Sequence, residues 1–110
     1  MTINFSLFRA LSDKDLFQQK VEVTRRRALN LRFSLETDDE THACEYIFEA
    51  TNDPTDFLDE EQQFIFKAFY EAGEIAVSVG DVLMINGTAY MCKSAGWEKI
   101  ENFTANYDND

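Results

Sequence analysis

Residues 77–100 read VSVGDVLMINGTAYMCKSAGWEKI, and the dipeptide Asn86-Gly87 near their middle decides what kind of fold the chain builds. Two apolar runs, Val77–Ile85 and Thr88–Lys93, flank it with nothing else between them. Asn and Gly both tolerate positive φ, which a type I′ turn requires at its two central positions, so the spacing predicts a β-hairpin. Ser94-Ala95-Gly96 supplies a second turn, and Trp97-Glu98-Lys99-Ile100 reads as a short closing strand. The last third of the chain is therefore an antiparallel meander.

Upstream the periodicity changes from two to about three and a half. Thr37-Asp38-Asp39-Glu40 fits a capping box, and its acids suit the positive end of a helix. Cys44, Ile47, Phe48 and Thr51 then follow i, i+3, i+4, i+7 and make one largely apolar stripe. Asn52-Asp53-Pro54 ends that helix, because the residue before proline disfavours the α region. A second helix is predicted from Thr55 or Asp56 to Ala72, with Phe57, Leu58, Ile65, Phe66 and Phe69 in packing contacts and Gly73 at C′. Its bulky FIFKAFY segment is also compatible with a strand.

Towards the N-terminus, Ile3–Leu7 alternates apolar and polar residues, as does Leu29, Leu31, Phe33, Leu35 with Asn30, Arg32 and Ser34 between them. Both are strands with one buried face. Ser12-Asp13-Lys14-Asp15 resembles a capping box that opens a short helix near 13–20, with Leu16 and Phe17 available for packing. Arg25-Arg26-Arg27 falls in the turn or edge leading into the second strand, where cations discourage strand-to-strand aggregation; a contact with phosphate is the alternative. The order β-α-β-α-α-β-β-β implies an α+β fold, a mainly antiparallel sheet with helices packed on one face. Residues 1–103 are expected to form a single domain, and residues 104–110, TANYDND, a disordered acidic tail.

At 110 residues, with 45% hydrophobic residues and ten Phe, the chain has the means for one core. No run of 18 apolar residues exists to span a membrane, and MTINFSLFRALSDKD lacks the pattern of a secretory signal. Two sparse cysteines, Cys44 and Cys92, fit buried free thiols in a reducing compartment, so a cytoplasmic location is expected. The net charge is −11 and unevenly spread: residues 1–35 sum to +4 and residues 36–110 to −15. Such a chain is repelled by nucleic acid and anionic membranes, and its natural partners are basic surfaces.

Within the meander, Ser78, Gly80, Asp81, Val82, Gly87, Tyr90, Gly96, Trp97 and Glu98 form a pattern that resembles the C-terminal motif of small YodL-type domains of phages, plasmids and integrative elements. The helix EYIFEATND after an alternating strand is similar to what often precedes that motif. Such domains usually carry a Gly-Phe pair where this chain has Gly96-Trp97. The resemblance implies a context, a small accessory protein of a mobile element in a bacterial host. It implies no chemistry and transfers no catalytic residue.

The residues offer little to catalysis. One His and two Cys are too few for a structural zinc site, and His42 and Cys44, two apart on a helix, point away from each other. No phosphate loop or dinucleotide fingerprint is present. Asp81 has the bland role of orienting the turn before its strand by bonding nearby amides. Tyr90 and Trp97 fit sheet packing better than a partner patch. Neither enzymatic activity nor a cofactor is expected.

The strongest functional signal is the stretch Leu35–Glu61, with eleven carboxylates and no Lys or Arg. Helix-start chemistry accounts for Asp38–Glu40 and Asp59–Glu61, but Glu45 and Glu49, one turn apart with Asp53 extending their row, repel one another without a local reason. Side chains four apart on a helix sit about 5–6 Å from each other, near enough to phosphate spacing to occupy the cations of a DNA-binding cleft. Asp38, Asp39, Glu45, Glu49, Asp53, Asp56, Asp59, Glu60 and Glu61 are therefore the candidate partner-binding residues. The expected partner is a host protein with a basic surface, most sharply a nucleic-acid-binding defence complex that the protein inhibits by mimicry. The alternatives are a solvated acidic face on an oligomeric assembly module, a homodimer for instance, and a nucleic-acid binder acting through Arg25–Arg27 and Arg32.

Overall fold

The computed structural model describes residues 1–11 and 18–103. The elements run β1 (Thr2–Ala10), β2 (Arg25–Ser34), α1 (Glu40–Asn52), a 3-10 turn (Thr55–Phe57), α2 (Glu60–Ala72), β3 (Val82–Ile85), β4 (Thr88–Cys92) and β5 (Trp97–Ile100). The strands form one sheet of order β2-β1-β3-β4-β5, antiparallel at every junction. This is the α+β architecture read from the sequence.

β1 lies between β2 and the C-terminal meander, and its composition explains why. Ile3, Phe5 and Leu7 are fully buried on one face, and after an irregularity in register between Leu7 and Phe8 the next three residues are buried as well. Ile3, Phe5, Leu7, Leu83 and Ile85 of the sheet meet Ala43, Cys44, Ile47 and Ala50 of α1 and Ile65 and Phe69 of α2 in one core cluster, so both helices cover the same face. A smaller cluster of Phe8, Val82, Ala89 and Met91 lies apart from it, with Val21, Ile100 and Phe103 packed against it.

The hairpin turn forms as predicted: Asn86 has φ +48° and Gly87 +92°. Asn86 also reaches across to the N-terminal strand, its Oδ1 accepting from the Asn4 amide at 2.9 Å and its Nδ2 donating to the Thr2 carbonyl at 3.2 Å. One turn residue thereby fixes the alignment of β1 on β3.

Several boundaries move, each for a local reason. The strand expected from Val77 begins only at Val82, because Ser78–Asp81 closes on itself as a turn. The N-cap of α1 is Asp39, not Thr37: the Asp39 side chain accepts from the Thr41 amide, while the Thr37 hydroxyl accepts from the Asp39 amide at 3.0 Å. The second helix starts at Glu60 rather than at Thr55 or Asp56, since Asp59 makes a full capping box with Gln62 and only a single 3-10 turn fits between Pro54 and that cap. FIFKAFY is helical, and Gly73 ends α2 in the left-handed region at φ +73°. Phe57 and Phe66, expected in packing contacts, are exposed instead. Arg25–Arg27 lie inside edge strand β2 rather than before it, and Arg25 is buried. Residues 12–17, which hold most of the helix expected near 13–20, and the tail 104–110 lie outside the described residues. Residues 18–20 are irregular, with Gln19 at φ +53°.

Candidate functional site

The helical layer gives its carboxylates two different fates. Five of those between Leu35 and Glu61 are acceptors for the protein's own donors. Asp39 and Asp59 cap α1 and α2. Glu40 accepts from the Tyr90 hydroxyl at 2.7 Å, and Glu45 accepts from the Trp97 indole N–H at 3.2 Å, so both tie α1 to the meander. Asp59 also accepts from the Tyr46 hydroxyl at 2.6 Å, and Glu49 accepts from Gln62 Nε2 at 3.4 Å across the seam between the helices. Gln62, buried in that seam, also donates to the Tyr46 carbonyl at 3.1 Å. Of the row Glu45–Glu49–Asp53, which has no reason along the helix itself, two members gain one from the fold. Sequence spacing could not reveal this, because the donors come from β4, β5 and α2.

The other six are unengaged, five of them exposed and Glu61 half-buried. Glu36, Asp38, Asp53, Asp56, Glu60 and Glu61 make no side-chain hydrogen bond or ion pair among the described residues, although the Asp53 backbone amide closes α1. Asp53 and Asp56 flank Pro54, and Glu60 and Glu61 stand in the first turn of α2, where the helix dipole favours them. Lys67 is the only cation between Leu35 and Ala72. Among the carboxylates, then, the free acidic surface is concentrated on the α1–α2 connection and the start of α2, with Glu36 and Asp38 before the other end of α1.

The residues of the SVGD stretch do structural work. The Asp81 amide donates to the Ser78 carbonyl at 3.0 Å, and the Ser78 amide donates back to Asp81 Oδ2 at 2.9 Å. Gly80 occupies the third position at φ +96°, which only glycine adopts readily. The turn-orienting role expected of Asp81 is present, but the carboxylate does more. It has no exposed surface and lies 3.5 Å from Arg9 Nη2. Arg9 donates to the Ile75 and Ala76 carbonyls, and Arg25 donates to those of Gly80 and Lys20. Glu74, beside Arg9, is gripped by both terminal nitrogens of Arg26 at 3.0 and 3.1 Å. Burial pushes Asp81 above the usual carboxylate range despite Arg9, the Ser78 amide and Arg25, and burial pushes Arg25 below its ordinary value despite Asp81. Sequence reasoning missed this cluster. The one available signal was an arginine, Arg9, following the apolar run of β1.

Cys44 and Cys92 are free buried thiols. Burial raises both, Cys44 strongly and Cys92 to about 11, so each is protonated at neutral pH and neither is a nucleophile there. Cys92 borders a shallow cleft of about 140 Å³ lined also by Glu45, Phe48, Lys93 and Trp97. His42 is exposed with its Nδ1 3.0 Å from the Thr37 hydroxyl, whereas Cys44 points into the core. Among the described residues no group of three His, Cys, Asp or Glu side chains is placed to hold a metal ion, and no helix is long and apolar enough to cross a membrane. No family model, curated protein or solved structure matches the chain.

Proposed function

We propose that this chain is a non-enzymatic binding protein that docks on the basic surface of a host protein, acting as a small cytoplasmic accessory factor of a phage or other mobile element. Its sharpest form is inhibition of a nucleic-acid-binding defence complex. The observation that carries the reading is the set Asp38, Asp53, Asp56, Glu60 and Glu61: carboxylates that accept from no donor among the described residues, in a stretch, Leu35–Ala72, whose only cation is Lys67. Unengaged like charges cost a folded chain stability through mutual repulsion, and a cationic partner relieves that cost and gains from electrostatic steering. Asp39, Glu40, Glu45, Glu49 and Asp59 contribute to the same field, but their first role is internal.

A pull-down from host lysate at low and moderate salt tests this with Asp38→Asn, Asp53→Asn, Asp56→Asn, Glu60→Gln and Glu61→Gln combined. None of these side chains makes a described polar contact, so the variant keeps its fold. The wild type should recover a partner that the variant loses; recovery of the same partner by both removes the acidic surface from the account. Direct binding of nucleic acid has little support, since Arg25 is buried, Arg26 is paired with Glu74, and Arg32 donates to Asn4.

A further inference from the structure

The cleft of about 140 Å³ between α1 and the β4–β5 turn brings together side chains from three elements: Glu45 and Phe48, Cys92 and Lys93, and Trp97. The Phe48 and Trp97 rings meet at a corner, their centroids 6.5 Å apart and their planes at 82°. Glu45 is exposed, and its Oε1 accepts from the Trp97 indole N–H at 3.2 Å. That bond holds a carboxylate beside an aromatic ring, and among the described residues nothing donates to its second oxygen, Oε2. Lys93, the one cation among the lining residues, is paired with Glu98 at 3.1 Å. Burial keeps the Cys92 thiol protonated at neutral pH, so it adds no charge. The cleft therefore presents one uncompensated negative charge against two rings. Pockets for drug-sized ligands run to about 300–1,000 Å³, so this one has room for the head of a single side chain.

We propose that this cleft is a subsite for one arginine side chain of a partner protein, its guanidinium lying against the Phe48–Trp97 corner and paired with the Glu45 carboxylate. Charge and shape select the occupant. An anion meets Glu45, and a neutral apolar group would desolvate Oε2 without offering it a donor. A lysine ammonium can pair with the carboxylate but cannot lie flat on a ring. The planar guanidinium does both, stacking on the aromatic wall while its fork of N–H groups reaches the carboxylate. An exposed ion pair alone contributes little, and it is the aromatic wall that sets Glu45 apart from the free carboxylates elsewhere on the molecule. The indole N–H has already fixed Glu45, so binding costs less side-chain entropy than it would at a mobile glutamate. The inference deepens the proposed function and rests on it only for the source of the arginine, since Asp53, Asp56, Glu60 and Glu61 take no part in the cleft.

Trp97 is the only tryptophan of the chain, so its fluorescence reports on this cleft alone. The full chain is titrated with a glycine-arginine-glycine tripeptide blocked at both ends, and with the same tripeptide carrying lysine or citrulline in place of arginine. The arginine peptide should change the Trp97 emission saturably, with a midpoint on the order of millimolar for a single head group. The lysine peptide should bind several-fold more weakly. Citrulline, which keeps the shape without the charge, should give no saturable change. Glu45→Gln still offers the indole an acceptor and keeps the fold, yet should weaken the arginine peptide at least about fivefold. Equal responses to arginine and citrulline, or an affinity that Glu45→Gln leaves unchanged, overturn the subsite, and so does the absence of any saturable change. Lysine binding as tightly as arginine overturns the guanidinium assignment. The two readings separate in the lysate pull-down. If neutralising the five free carboxylates leaves recovery intact while Glu45→Gln abolishes it, the subsite stands and the acidic surface falls. The opposite pattern removes the subsite.

Discussion

Asp81 shows how much a single position can hold. It is fully buried, closes its own turn through the Ser78 amide, and balances Arg9 and Arg25 where the α2–β3 connection meets the ends of β1 and β2. Removing one member of a buried ion pair typically costs 3–5 kcal/mol, because the partner charge stays behind uncompensated. Asp81→Asn is expected to lower the urea-unfolding free energy by about 3 kcal/mol, and combining it with Arg9→Met should cost less than the two single changes added together. Strict additivity would mean that the two residues do not act as a pair. The sequence marked Asp81 as a turn residue but not as a buried charge, since Arg25 and Arg9 lie 56 and 72 positions before it. The phenols make a second prediction at this scale. Burial first, and then hydrogen bonding to Asp59 and Glu40, raise Tyr46 and Tyr90 above the ordinary tyrosine value. The folded chain keeps those protons when the unfolded chain releases them near pH 10. Their contribution is therefore complete below about pH 10 and is lost as the pH rises above it. Absorbance titration should show at least two of the four tyrosines ionising late, together with unfolding. Four independent titrations near pH 10 would contradict this.

Among the elements, α2 was the most legible and the most misjudged. Its end at Gly73 followed from a glycine that can take φ +73°. Nothing lies within 4 Å of a Cβ placed there, so Gly73→Ala meets no clash and should cost about 1 kcal/mol for the left-handed backbone alone. Its start was harder to read, because Asp56 and Asp59 both look like caps. Asp59 wins by combining a capping box with Gln62 and a hydrogen bond from Tyr46. Asp59→Ala should lose about 1–2 kcal/mol from the cap and leave the Tyr46 hydroxyl without its acceptor. Tyr46→Phe alone should cost about 1.5 kcal/mol, that of a hydrogen bond to a charged group, and should be nearly silent in the Asp59→Ala background. Equal losses in both backgrounds, measured by chemical denaturation, would argue against the contact. Phe57 and Phe66 were expected in packing and are exposed for a different reason. Apolar periodicity says which residues share a face, but Phe57, Phe64, Phe66 and Tyr70 exceed what one buried stripe can take.

For the whole molecule the governing quantity is a net charge of −11 spread over a small domain. Screening that charge should raise the thermal midpoint as salt goes from millimolar to physiological levels, because the free carboxylates repel one another more than the few ion pairs attract. A midpoint that falls with salt would instead mean that the Arg9–Asp81 and Arg26–Glu74 pairs dominate. By itself the sequence determined the α+β class, the Asn86-Gly87 hairpin, the Pro54 break, the Gly73 stop and the excess of acid, because each depends on backbone conformation or composition within a few residues. Tertiary structure alone decided which acids are spent and which are free. Glu40, Glu45 and Glu49 look identical to Glu60 and Glu61 along the chain, and only the arrival of Tyr90, Trp97 and Gln62 from other elements separates them. The same holds for the aromatics: periodicity could list the rings, but only the packing of two helices on one sheet face decided which would be left outside.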